Sequence, residues 1–135
     1  MSELDAVLFA NEAFYLAFAN RDLAAMEEVW ARGHSVACVH PGWQPLSGRE
    51  EVMEAWTGIL ANSEAPRVSC RAPRVYLSGE TAFVVCFEVI GKGALVATNI
   101  FCREGGLWKM IHHQAGPCNA RAGDLPKEAP PEPMQ

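Results

Sequence analysis

The sequence predicts one α+β domain, with three helices in its first half and an antiparallel sheet in its second. Up to about residue 62 the apolar residues recur with a helical period, and after residue 65 they alternate. Short Gly-containing segments separate the alternating runs, as hairpins require. Half of the 135 residues are hydrophobic and a fifth are charged, enough apolar side chain for one buried core.

Each element follows from its own pattern. In residues 3–20, Leu4, Val7, Leu8, Asn11, Phe14, Tyr15 and Phe18 fall on one helix face. Asn20-Arg21-Asp22 interrupts that helix. Asp22 is a good cap for a second, shorter helix through Leu23, Met26, Val29 and Trp30, with Gly33 as its stop. Residues 35–40 form a short apolar run ended by Pro41-Gly42, which suits a buried strand entering a turn. Ser47-Gly48-Arg49-Glu50 has the spacing of a capping box, with Ser47 at the cap. The helix it opens carries Val52, Met53, Trp56, Ile59 and Leu60 on one side. Strands are expected at 67–77, 81–90, 95–103 and 107–115, joined by Ser78-Gly79-Glu80, Gly91-Lys92-Gly93 and Glu104-Gly105-Gly106. From Asn119 onward proline and charge dominate. Residues 1–118 are therefore expected to fold, and 119–135 to form a disordered Pro-rich tail.

Charge narrows the choice of partner. Eleven Lys and Arg against sixteen Asp and Glu give a net charge of −5, which argues against nucleic acid and anionic membrane surfaces. No apolar run approaches the roughly 20 residues of a membrane span, and Met-Ser-Glu-Leu-Asp lacks the basic start of a secretory signal. The five cysteines, Cys38, Cys70, Cys86, Cys102 and Cys118, are odd in number and contain no close pair. Reduced, mostly buried thiols in a cytoplasmic protein are the expectation, with neither a disulfide framework nor a metal site.

The order of elements and the residues at their junctions resemble the SnoaL-like branch of the nuclear transport factor 2-like superfamily. The matching pieces are Phe14-Tyr15 with Asp22, then Val39-His40-Pro41-Gly42-Trp43, then Leu46-Ser47-Gly48-Arg49-Glu50, and last Trp108-Lys109-Met110-Ile111-His112-His113-Gln114-Ala115. The resemblance implies a cone-shaped α+β roll, also called cystatin-like, in which a curved sheet wraps three helices around a pocket. It also implies a homodimer formed through the outer sheet face. Among enzymes of this shape, ketosteroid isomerase uses an Asp base with a Tyr and a protonated Asp as oxyanion donors. By the resemblance its base position is His40. Its Tyr matches Phe14, and its second Asp falls at Thr98 or Asn99. The base has changed type and both acidic donors are missing, which argues against steroid isomerisation by that route.

The remaining candidates come from the residues themselves. An imidazole at His40 can take and return a proton near neutral pH. His112 and His113 are strand neighbours and must point to opposite faces. Matching the last strand to the isomerase favours Ile111, His113 and Ala115 inward, with Trp108, Met110 and His112 outward; a slip of one residue would exchange the histidines. Trp30, Trp43, Trp56 and Phe14 can form an aromatic cavity wall or an ordinary core. Asn11 and Tyr15 interrupt an apolar helix face and mark a place where a pocket would touch it. Glu88 is the only carboxylate in its strand. The sequence-level expectation is a pocket for a small apolar or aromatic molecule, with His40 and His113 catalytic and Phe14, Tyr15, Trp30, Trp43, Trp56, Thr98, Asn99 and His112 binding. No cofactor is implied. Isomerase, cyclase and dehydratase chemistry stand beside a non-catalytic binding or assembly module.

Overall fold

Helix α1 spans Glu3–Ala19 in the computed structural model, which describes residues 1–126. Ser2 caps α1 by accepting the Asp5 N–H, and Asp22 caps α2 (Leu23–Val29) by accepting that of Ala25. The stop expected at Gly33 comes earlier. Trp30 is already extended and bridges to Met110, so α2 ends where the chain joins the sheet. Strands β1 (Ala37–Val39) and β2 (Leu46–Ser47) precede α3 (Arg49–Ala61). The cap of α3 is Gly48 rather than Ser47, because pairing with Ala37 draws Ser47 into β2. Gly48 holds φ +86, where glycine is favoured, and the Ser47 N–H is bonded by Glu51 instead.

Four long strands follow: β3 (Ser69–Ser78), β4 (Thr81–Ile90), β5 (Gly93–Glu104) and β6 (Leu107–Arg121). They form an antiparallel meander, and β6 then pairs parallel with β1, giving the order β2-β1-β6-β5-β4-β3. The helices cover one face of this sheet. Val7, Phe14, Met26, Val52 and Trp56 are buried there with Val84, Ala97, Phe101 and Met110 from the strands. The architecture is the α+β arrangement of three helices and one sheet that the sequence predicts.

Two expectations are corrected. Trp108 and Met110 do not face outward; both are buried beside His113 and Ala115. Ile100 pairs with His112 and Phe101 with Met110, so Ile111 is an extra residue in β6 that resets the alternation. The folded part also passes residue 118. Strand β6 continues to Arg121, which pairs with Gly93, and Leu125 is only 8% exposed. Beyond Gln114, β6 has a neighbour on one side only, where Pro117 is tolerated. The rest of the expected tail, 127–135, lies outside the described residues.

Candidate functional site

Asn11 and Tyr15 lie four residues apart on α1, hence on one helical face, and both are buried against the sheet. Glu88 on β4, Asn99 on β5 and His113 on β6 point at them from three adjacent strands, with Asn99 and His113 in direct register. His40 follows β1, the next strand over. Alternation explains the carboxylate: Ala82, Val84, Cys86 and Glu88 form the buried side of β4, so Glu88 is carried inward and is 2% exposed.

These groups form one hydrogen-bonded chain. The His113 Nδ1–H donates to Asn99 Oδ1 at 2.6 Å, and Asn99 Nδ2 donates to Asn11 Oδ1 at 2.8 Å and to the Tyr15 hydroxyl at 3.1 Å. The Tyr15 hydroxyl donates to Glu88 Oε2 at 2.7 Å and lies 3.3 Å from Cys86 Sγ. Nδ1 of His113 therefore carries its hydrogen, which leaves the Nε2 lone pair facing Glu88 Oε2 at 3.8 Å. Around it lie the rings of Phe14 at 4.8 Å, His40 at 6.2 Å and Trp56 at 6.4 Å. His40 sits against Trp56 at 4.8 Å and Trp43 at 4.9 Å, and its Nε2 is 3.5 Å from Cys38 Sγ.

Burial sets the charge state. It lowers His113 to about 3 and His40 to about 4, His113 being further lowered by its neighbours His40 and His112. It raises Glu88 above the usual carboxylate range, an effect the Tyr15 hydrogen bond opposes only in part. His113 is therefore a neutral base beside a carboxyl that burial biases toward its protonated form. Desolvation likewise pushes the Cys38 thiol up to about 12, so it is an inert neighbour of His40 rather than a thiolate nucleophile.

The structure brings together His40, His113, Phe14, Tyr15, Trp56 and Asn99 and leaves out other expected members. Thr98 and His112 are corrected: each neighbours an inward residue on its strand, so both are half-buried on the outer sheet face. Trp30 is fully buried beside β6, while Trp43 is 48% exposed and touches the cluster through His40. Glu88 is the member that the sequence offered only as an acid ligand for a metal on His40 and a strand histidine, not as a catalytic or binding residue. Its signal was one carboxylate in an otherwise apolar strand, in phase with the buried positions. Among the described residues, no three His, Cys, Asp or Glu side chains are grouped as a metal ion needs. No helix among the described residues is long and apolar enough to cross a membrane.

The SnoaL-like domain model matches residues 7–118. A crystal structure of a proposed dehydratase of the NTF2-like family from Streptomyces avermitilis is 34% identical, over 87% of this chain and 97% of that one, with a TM-score of 0.78. A proposed calcium/calmodulin-dependent protein kinase type II association domain from Thiobacillus denitrificans is also 34% identical, over 82% and 93%, with a TM-score of 0.69. Among curated proteins, the F-box protein SKIP8 of Arabidopsis thaliana is 25% identical over 112 residues, 82% of this chain and 48% of that protein. The chain thus spans about half the length of that curated relative.

Proposed function

Since the chain belongs to the SnoaL-like domain family and shares the NTF2-like fold, we propose that it is a small-molecule pocket protein that moves a proton on a neutral, mostly apolar substrate. Dehydratase, isomerase and cyclase reactions each begin with such a step. The carrying observation is Glu88, a carboxyl buried to 2% exposure with a tyrosine donor on one oxygen and an imidazole lone pair 3.8 Å away. A purely structural core has no use for such an acid, because desolvating it is costly. In this reading His40 is the base. Glu88 returns the proton, with His113 as its relay and Tyr15 and Asn99 as positioning residues. The Trp56 indole N–H is buried beside His40 with no acceptor among the described residues, and a substrate oxygen would supply one. The relative named as a proposed dehydratase is consistent with this class of chemistry. No cofactor is needed for it, and a cytoplasmic setting suits five unpaired cysteines.

A second reading is a non-catalytic binding or assembly module, favoured by the proposed association domain at the same identity and by an apolar outer sheet face. Incubation of the protein with a metabolite pool, followed by mass spectrometry, separates the two. A consumed compound whose turnover falls at least about a hundredfold in both His40→Gln and Glu88→Gln supports proton transfer. A retained, unchanged ligand supports the second reading, and full turnover in either variant removes that residue from the mechanism.

A further inference from the structure

The polar cluster has a side where α1 faces the edge strand β3. A cleft of about 470 Å³ lies there, within the range of small-molecule pockets. Its walls include Leu8, Leu16, Val68 and Pro73, and its floor holds Asn11, Tyr15 and Cys70. Two of these, Asn11 and Tyr15, belong to the buried hydrogen-bonded chain itself, and Tyr15 reaches Glu88 directly.

We propose that this cleft is the mouth through which the buried site receives its ligand, and that the ligand is an uncharged, largely apolar molecule carrying one hydrogen-bond acceptor such as a carbonyl. The inference rests on the reading of the cluster as a small-molecule site and adds its access route and substrate class. Three observations support it. Asn11 has two amide hydrogens, and its amide nitrogen makes one weak contact, 3.6 Å to Cys70 Sγ, with no oxygen acceptor among the described residues. A buried, underused donor of this kind favours a carbonyl oxygen. Among the described residues the only charged one lining the cleft is Glu12, so an anion would meet repulsion at the rim and no cation from them inside. Finally, β3 is the edge of the sheet, and its ladder is broken between Arg71 and Arg74 beside Pro73. There Ala72 is held at φ +55, a conformation that costs a non-glycine residue about 1 kcal/mol or more and that marks sites shaped for use.

The test titrates the full chain with 2-acetylnaphthalene and with its isosteric anion 2-naphthoate, read by amide-resolved NMR. The expected result is saturable movement of the Asn11 side-chain amide and of the Ser69 and Cys70 amides by the ketone, with the anion at least about tenfold weaker. Leu16→Glu and Ser69→Trp alter exposed residues at the rim and should each weaken ketone binding about tenfold or more, whereas Gly58→Trp, beside Trp43, should not. Equal binding of ketone and anion, shifts confined to the surroundings of Trp43, unchanged affinity in both rim variants, or no saturable binding would each overturn the proposal. Ketone binding at Asn11 in a protein without turnover would sink the catalytic reading alone. Turnover that needs Glu88, with binding shifts only at Trp43, would sink the proposed mouth alone.

Discussion

Glu88 and the two buried histidines pull the pH dependence of stability in opposite directions. The Glu88 carboxyl is held above its ordinary value of 4.5, so over that window the folded chain keeps a proton that the unfolded chain has lost. Stability must therefore fall as pH rises through it. His40 and His113 lie below their ordinary 6.5, at about 4 and about 3, so the unfolded chain takes up protons that the fold refuses. Their contribution is complete above 6.5 and is lost as pH falls toward those lower values. Urea denaturation of Glu88→Gln against the parent, followed upward from the ordinary carboxyl value of 4.5 with the histidine contributions common to both chains, should show the variant losing less stability with pH. The largest slope one proton can give is about 1.4 kcal/mol per pH unit. Equal slopes would mean that the fold does not hold Glu88 above its ordinary value. His40 and His113 stood out in the sequence because histidine is rare and chemically explicit. Tyr15 was legible only as a polar interruption of a helix face and Asn99 only through the resemblance, since their roles depend on partners 84 and 14 positions away.

At the level of elements, the Ser47-Gly48-Arg49-Glu50 motif has a structural meaning that its cap spacing did not convey. Arg49 donates to the carbonyls of Glu27 at 2.7 Å, Trp30 at 2.8 Å and Ala31 at 3.2 Å, closing the end of α2 from the first turn of α3. Arg49→Ala should destabilise the protein by about 2–3 kcal/mol. Arg49→Lys should restore only part of this, because an ammonium cannot reproduce the planar fork. Shifts in urea midpoint and faster hydrogen exchange in α2 would check it, and an Arg49→Ala protein as stable as the parent would refute it. Helices and hairpins were readable because period and turn glycines are local signals; Gly79, Gly91 and Gly105 all hold positive φ in the turns named from sequence. The extra residue at Ile111 was not readable. Nothing about an isoleucine among strand residues announces that two positions face one, yet that insertion decides where Trp108 and Met110 point.

For the molecule as a whole, the outer sheet face is an apolar surface that no helix covers among the described residues. Phe83 stacks on Tyr76 with ring centroids 4.7 Å apart, and Val85, Phe87, Ile100 and the more exposed Val96 continue the patch. Pairing of two such faces is the homodimer proposed here. Sedimentation should give twice the chain mass, and Phe83→Asp should weaken association at least about tenfold; an unchanged mass distribution in that variant, or a monomeric parent, would refute it. One feature of the topology also sets a chronology. Strand β1, made early, has its parallel partner in β6, and Ala31 and Trp30 likewise wait for Met110. A chain emerging from the ribosome carries His40, Tyr15 and Glu88 long before His113 exists to join them. The cluster cannot close until β6 slides between β1 and β5, which makes its formation a late, long-range event. Chains that stop short of β6 therefore carry the parts of the cluster without its hydrogen-bonded order.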